Sequence, residues 1–102
     1  MIKVNYNDNV IKISGHAGFN DYGKDIVCAS VSSIIYTTVN GVLNLNENAI
    51  KFIDSTDITI EKIGNDETTN KLLSSMLELL KDLEKQYPKN IKISKGEWTC
   101  YL

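Results

Sequence analysis

The 102-residue sequence has no arginine, a single histidine, a single proline and only two cysteines. Its net charge of −2 provides no excess of positive charge, which argues against broad binding of nucleic-acid phosphates. The histidine and one cysteine lie in the same short segment, but two such ligands fall short of the set that zinc usually takes. Neither a phosphate-binding loop nor a dinucleotide fingerprint is present. We therefore expect no metal, no cofactor and no direct contact with nucleic acid.

Signals that direct a chain to a membrane are also missing. No apolar run approaches the roughly 20 residues that span a bilayer. The N-terminal segment MIKVNYNDNV lacks the positive-then-apolar pattern of a signal peptide. We expect a cytoplasmic protein without a membrane partner, whose cysteines are free thiols, as is usual in a reducing compartment. The length, the hydrophobic fraction of 42% and the charged fraction of 24% predict one globular domain over residues 1–102.

The pattern of apolar residues predicts the secondary structure. Alternation in MIKVNY and VIKISGHA predicts two strands, and the intervening NDN predicts a hairpin turn. AIKFIDS and DITIEKIG predict a second hairpin, and NIKISKGEW predicts a last strand. A helix of about twenty residues is expected to begin near Asp25, and a second helix is expected to stop at Pro88. The apolar face of the first helix is predicted to comprise Val27, Val31, Ile34, Ile35, Val39, Val42 and Leu45.

The resulting order ββαββαβ indicates the fold class. We expect an α/β (α+β) two-layer sandwich, in which two helices cover one face of a mixed, largely antiparallel sheet of about five strands. The order of the strands within the sheet does not follow from these patterns.

The segment SGHAGFNDYGKDIVCAS, residues 14–30, concentrates the reactive side chains. If Asp25 caps the first helix, Cys28 is its third residue, where unpaired N–H groups and the helix dipole favour a thiolate. His16, at the end of the second strand, is the imidazole available as a base, and Asp25 or Asp21 could orient it. The residues alone leave two interpretations open. One is a cysteine–histidine active site, and the other is a packed cysteine and a structural histidine beside a turn.

Glycines and aromatic residues occupy the chain between the histidine and the cysteine. Glycine tolerates backbone conformations that other residues avoid, so this segment is expected to be a mobile loop. Aromatic side chains in such a loop are candidates to contact a ligand when the loop closes. The predicted substrate-binding loop comprises Gly15, Gly18, Phe19, Tyr22 and Gly23.

SGHAG followed by YGKDIVCASVS resembles the signature of the ribosomal-processing cysteine protease family, Prp. The chain length and the element order are similar to that family's as well. The resemblance implies a cytoplasmic cysteine endopeptidase that acts as a homodimer without metal or cofactor. Such enzymes remove a short N-terminal extension from a large-subunit ribosomal protein, cutting after an aromatic residue.

The resemblance also implies roles for individual residues. The family nucleophile falls on Cys28 and the family histidine on His16, whereas Asp25 and Ser32 match further motif positions. The glycines match those of a loop that becomes ordered over bound substrate. Two other functions remain open: a non-catalytic, ribosome-associated peptide-binding module, and a cysteine thioesterase or acyltransferase that uses the same nucleophile.

Overall fold

The computed structural model describes residues 1–21 and 23–96, and it confirms the predicted order ββαββαβ. The strands are β1 Ile2–Tyr6, β2 Val10–Ser14, β3 Ile50–Asp54, β4 Ile58–Lys62 and β5 Ile91–Lys95. The helices are α1 Ile26–Leu45 and α2 Glu67–Gln86. The predicted runs extend beyond these strands at several ends. β2, for example, stops at Ser14 because the following Gly15 has a positive φ of 83° and turns the chain.

The five strands form one sheet in the order β3-β4-β2-β1-β5. Both predicted hairpins are antiparallel, β2 and β4 are antiparallel as well, and β1 pairs with β5 in parallel. Lys3 lies opposite Ser14, and Ile2 lies opposite Ile91. The end of β2 and the starts of β1 and β5 therefore lie at the same end of the sheet. The candidate site forms there.

The core lies between the sheet and the two helices. Strand residues alternate between buried aliphatic side chains and exposed polar ones, so both helices cover the same face and the opposite face carries mainly polar side chains. Each fully buried aliphatic side chain contributes about 1.5–3 kcal/mol. The helix residues in this core are Val27, Val31, Ile35, Val39, Val42, Leu73, Met76, Leu80 and Leu83.

Two members of the predicted apolar face of α1 depart from that pattern. Ile34 is only partly buried, and the prediction of Leu45 as a core residue is wrong, because its side chain is 69% exposed. Leu45 is the last residue of α1, so the helix ends just beyond the part of the sheet that it covers.

Helix α1 also corrects the expectation that no apolar run approaches the length of a membrane span. Its 20 residues include no charged side chain, and by length and composition it is apolar enough to cross a membrane. Uncharged serine, threonine and asparagine between aliphatic residues keep its average hydropathy high. Its fully buried residues nevertheless recur on one side, against the sheet and α2, which is the pattern of a core helix.

Candidate active site

A cleft of about 740 Å³ opens between the start of α1, the end of β2 and the turn that joins β3 to β4. The structure brings most of the predicted site residues together along its walls. Phe19 is not among the lining residues, and Tyr22 lies outside the described residues. The predicted site residues that line the cleft are Gly15, His16, Gly18, Gly23, Asp25, Cys28 and Ser32.

Cys28 is the third residue of α1, as predicted from the position of the cap. Its side chain is half-buried, packs against the core and faces the cleft. The backbone N–H of Ala17 donates to Cys28 Sγ over 3.4 Å. An N–H group directed at sulfur stabilises the thiolate more than the thiol, because the acceptor then carries a charge. The sulfur therefore has a local donor in addition to the field of the helix start.

His16 directly precedes the residue that contacts the sulfur, and its exposed side chain lines the same cleft. The chain reaches this position through a sharp turn at Gly15. A Cβ atom there would clash with the carbonyl oxygen of Met1, and the φ of +83° disfavours any other residue. Among the described residues, no hydrogen bond joins the imidazole to Asp21 or Asp25.

Asp25 is the N-cap of α1, as predicted. Its Oδ1 accepts the backbone N–H groups of Val27 and Cys28, both over 3.0 Å. Its Oδ2 accepts those of Phe19 over 2.9 Å and Asn20 over 3.3 Å. These bonds, first among them the one from the Cys28 N–H, hold the pKa of the Asp25 carboxyl below its usual range. One carboxylate therefore caps the helix and ties the preceding loop to it.

Two residues near the end of α2 hold the same loop, and the sequence patterns pointed to neither. The Asn90 side chain donates through Nδ2 to the carbonyl oxygen of Ala17 over 3.0 Å. The ring of Phe19 meets that of Tyr87 edge to face, with centroids 5.3 Å apart. Phe19 was expected to contact a ligand, but in this structure its ring packs on the end of α2. These contacts depend on the parallel pairing of β1 and β5, which local patterns do not predict.

The far wall of the cleft comes from the β3–β4 turn, residues 54–56, which sequence reasoning also missed. Tyr36 on α1 donates its hydroxyl to Asp54 Oδ2 over 2.5 Å. This bond, together with partial burial and the negative charge of Asp54, raises the pKa of Tyr36. Ser32 lies one helical turn beyond Cys28, exposed on the same wall of the cleft. The cleft therefore runs from the thiol along α1 to a carboxylate.

Within residues 1–21 and 23–96, no group of three or more histidine, cysteine, aspartate and glutamate side chains is arranged to hold a metal ion. The side chains that the cleft does offer are a thiol at a helix start, an imidazole and hydroxyl groups, together with backbone N–H groups near the thiol. This combination is suited to covalent attack on a carbonyl group.

Comparison with known proteins agrees with this chemistry. A ribosomal processing cysteine protease Prp from Mycoplasma genitalium is 33% identical over 101 residues, which cover 96% of this chain and 99% of that protein. The one from Staphylococcus aureus is 29% identical over 92 residues, which cover 80% of this chain and 81% of that protein. The crystal structure of the S. aureus protease with a covalently linked product peptide superposes with a TM-score of 0.88 at 27% identity, covering 94% of this chain and all of the other.

The sequence profile of the family described as cysteine protease Prp matches residues 1–92, which is most of the chain and includes every residue of the cleft. The fold, the cleft and the relatives lead to one assignment: the chain belongs to the cysteine protease Prp family and is a cysteine protease.

Proposed function

We propose that this protease removes the N-terminal extension of a bacterial large-subunit ribosomal protein, with Cys28 as the nucleophile and His16 as the base and acid. One observation carries the assignment of residues: the Cys28 sulfur sits at the start of α1, contacts the Ala17 N–H and shares its cleft with the chain's single histidine. The S. aureus Prp structures with a substrate peptide and with a covalently linked product peptide support a peptide as the ligand of this cleft.

The proposed reaction proceeds through a thioester. His16 takes the proton of the Cys28 thiol, and the thiolate forms a bond to the scissile carbonyl carbon. The tetrahedral intermediate collapses as the C–N bond breaks, and His16 returns the proton to the leaving amine. Water, activated by the same imidazole, then attacks the thioester. The N-terminal fragment leaves as a carboxylic acid and the thiol is regenerated.

Backbone N–H groups near the sulfur are candidates to stabilise the oxyanion of the intermediate. The N–H groups of Val27 and Cys28 already donate to Asp25. The Ala17 N–H is instead directed at Cys28 Sγ, which is the atom that bonds to the carbonyl carbon, so this donor lies close to the position of the oxyanion. We therefore assign the Ala17 N–H as the first candidate donor to the oxyanion.

The decisive experiment uses a peptide that spans the junction between the extension and the mature ribosomal protein. Cys28→Ala is expected to lower kcat by roughly 10³-fold or more, and His16→Ala to lower it by a similar factor, because each removes one partner of the reacting pair. Cys100→Ala removes the other thiol of the chain and is expected to cleave like the parent. Mass spectrometry of the products locates the cut, which is expected to follow an aromatic residue.

Each alternative function has a distinct result in the same assay. A peptide-binding module would bind the peptide in both variants and in the parent without cleaving it. A thioesterase or acyltransferase would leave the peptide intact and hydrolyse acyl thioesters in a Cys28-dependent manner. Equal cleavage by the parent and by Cys28→Ala would contradict the assigned nucleophile.

The cytoplasmic location and the homodimer are part of the same proposal. Ribosomal proteins are made in the cytoplasm, so a protease that processes them is expected there. Sedimentation equilibrium of the full chain, whose mass is 11.4 kDa, is expected to give twice that mass. A monomer at all micromolar concentrations would contradict the dimer and leave the cleavage assignment standing.

A further inference from the structure

We propose that Asn90 is a positioning residue of the active site, whose side-chain amide holds Ala17 so that the Ala17 N–H stays directed at the Cys28 sulfur. The role follows from two consecutive hydrogen bonds, Asn90 Nδ2 to the Ala17 carbonyl over 3.0 Å and Ala17 N–H to Cys28 Sγ over 3.4 Å. Its consequence for peptide cleavage rests on the proposed function, whereas its consequence for the reactivity of the thiol does not.

Asn90 is itself held firmly at both of its backbone groups. Its N–H donates to the carbonyl of Tyr87 at the end of α2, over 2.9 Å. Its carbonyl accepts the N–H of Ile2 at the start of β1, over 2.8 Å. The side chain is half-buried and extends from this point to a residue 73 positions earlier in the chain. The Asn90 side-chain amide therefore links the loop to the end of α2 and to the start of β1.

Ala17 has no other polar group with which to fix its position. Its side chain is a methyl group, the residue is only 2% exposed, and both backbone polar groups are used in the two bonds already described. His16 is joined to Ala17 by a peptide bond, so a displacement of Ala17 moves the imidazole as well. Loss of the Asn90 amide would leave a buried carbonyl without its donor and allow the N–H to move away from the sulfur.

The chemistry of an amide is required at position 90. Aspartate has nearly the same shape, but an ionised carboxylate has no proton to donate. It would repel the Ala17 carbonyl and add a negative charge close to the thiolate. Asn90→Asp is therefore expected to be the most disruptive substitution, because it removes the donor and adds a charge. Asn90→Ala removes the contact without adding charge. Asn90→Gln keeps a donor on a longer side chain.

The test measures the rate at which iodoacetamide alkylates Cys28 as a function of pH, in a Cys100→Ala background so that one thiol reports. Asn90→Asp and Asn90→Ala are expected to slow alkylation near neutral pH, and Asp more than Ala, because the thiolate loses a donor and the aspartate adds a negative charge. On the junction peptide, kcat is expected to fall on the order of 10-fold to 100-fold with little change in KM. Asn90→Gln is expected to recover part of both losses.

Asn70→Asp is the matched control. It makes the same amide-to-carboxylate change near the start of α2, where Asn70 accepts from Lys62 and donates to Asn65. It is expected to keep the parent's alkylation profile and kcat. Apart from Cys28, the titratable side chains that line the cleft are His16, Asp25 and Asp54, and these variants change none of them.

The outcomes separate this proposal from the proposed function. If Asn90→Ala keeps the parent's alkylation profile, the proposal is wrong, even if its melting temperature falls, because a purely structural role lowers stability alone. If Asn90→Asp does not fold, Asn90→Ala and Asn90→Gln decide the same question. If the parent fails to cleave the junction peptide, the proposed substrate is wrong, and the alkylation profiles still decide the role of Asn90.

Discussion

At the scale of single residues, the site depends on polar groups whose hydrogen-bonding capacity is fully used. Asp25 is the clearest case, because its two oxygens accept four backbone N–H groups, two from α1 and two from the loop. A carboxylate that accepts several N–H bonds is easier to ionise. The same four bonds that join the loop to the helix therefore lower the pKa of Asp25.

The stability that Asp25 contributes is therefore expected to depend on pH. Since its pKa in the folded protein is below the ordinary value of 3.8, the contribution is complete above that value and is lost as pH falls through the lowered one. Thermal unfolding is expected to show Asp25→Asn melting several degrees below the parent at about pH 6, with the gap closing in acid. Asp57→Asn, whose carboxylate forms a 3.9 Å pair with Lys12, serves as the control. A gap that stays constant down to about pH 2 would contradict this explanation.

Two glycines permit a matched test of the turn before His16. Gly15→Ala is expected to destabilise the protein by about 1–2 kcal/mol or more, because a positive φ is costly for alanine and the added Cβ meets the Met1 carbonyl. Gly41→Ala, inside α1 with no heavy atom within 4 Å of the added Cβ, is expected to be neutral or to stabilise by about 0.5–1 kcal/mol. Urea unfolding measures both. Equal effects would show that the turn does not require glycine.

Residue-scale prediction from the sequence succeeded where the relevant contact is local. Asp25 and Cys28 are three positions apart, so the cap and the thiol could be placed from helix rules. Asn90 and Asp54 reach the site only through tertiary structure, and an asparagine after a helix or an aspartate in a turn is ordinary. Gly15 was predicted as a flexible loop residue, whereas the structure shows that the close Met1 carbonyl is what requires glycine there.

At the scale of elements, α1 is held to the sheet by polar as well as apolar contacts. Tyr36 meets the ring of Phe52 edge to face, with centroids 5.9 Å apart, and its hydroxyl donates to Asp54 at the end of β3. Tyr36 is not a member of the apolar face that projection of the helix residues predicts for α1. That projection describes one helix in isolation, and β3 lies far enough around α1 to reach this side chain.

The bond between Tyr36 and Asp54 predicts a pH dependence of opposite sign to that of Asp25. Because the pKa of Tyr36 is raised above its ordinary value of 10.0, the contribution is complete below that value and is lost as pH rises through the raised one. In urea unfolding, Tyr36→Phe is expected to be less stable than the parent at about pH 8 and to match it well above pH 10. Tyr6→Phe, whose ring lies 5.4 Å from the Lys81 ammonium, is the control. An unchanged difference at high pH would show that the hydroxyl bond contributes nothing.

At the scale of the whole molecule, one core joins the helix layer to the sheet. Periodicity was sufficient to predict the fold class and the order of elements, because each strand and helix has a clear apolar face. It was insufficient for the order β3-β4-β2-β1-β5, because the β1–β5 pairing joins Ile2 to Ile91 across almost the whole chain. The position of the β3–β4 turn beside the cleft follows from that strand order, so it could not be predicted either.

The buried face of the sheet is expected to be the part most sensitive to loss of side-chain volume. Ile60 on β4 is fully buried, and Ile60→Ala is expected to destabilise the protein by about 2–5 kcal/mol through lost burial and a residual cavity. Ile63, just beyond the same strand, is 53% exposed, and Ile63→Ala is expected to cost much less. Urea unfolding followed by circular dichroism measures both changes. Similar losses for the two variants would contradict this assignment of the core.

The parallel pairing of β1 with β5 determines the stage of synthesis at which the active site can form. The Ile2 N–H bonds to Asn90, and Asn90 bonds to the loop that contacts the thiol, so the first and last strands must both be in place before the site is complete. A chain still being synthesised carries Cys28 and His16 long before it carries Asn90. The protein is therefore expected to acquire a fully aligned thiol only after Asn90 has been added to the growing chain, which would keep a shorter nascent chain from cleaving peptides.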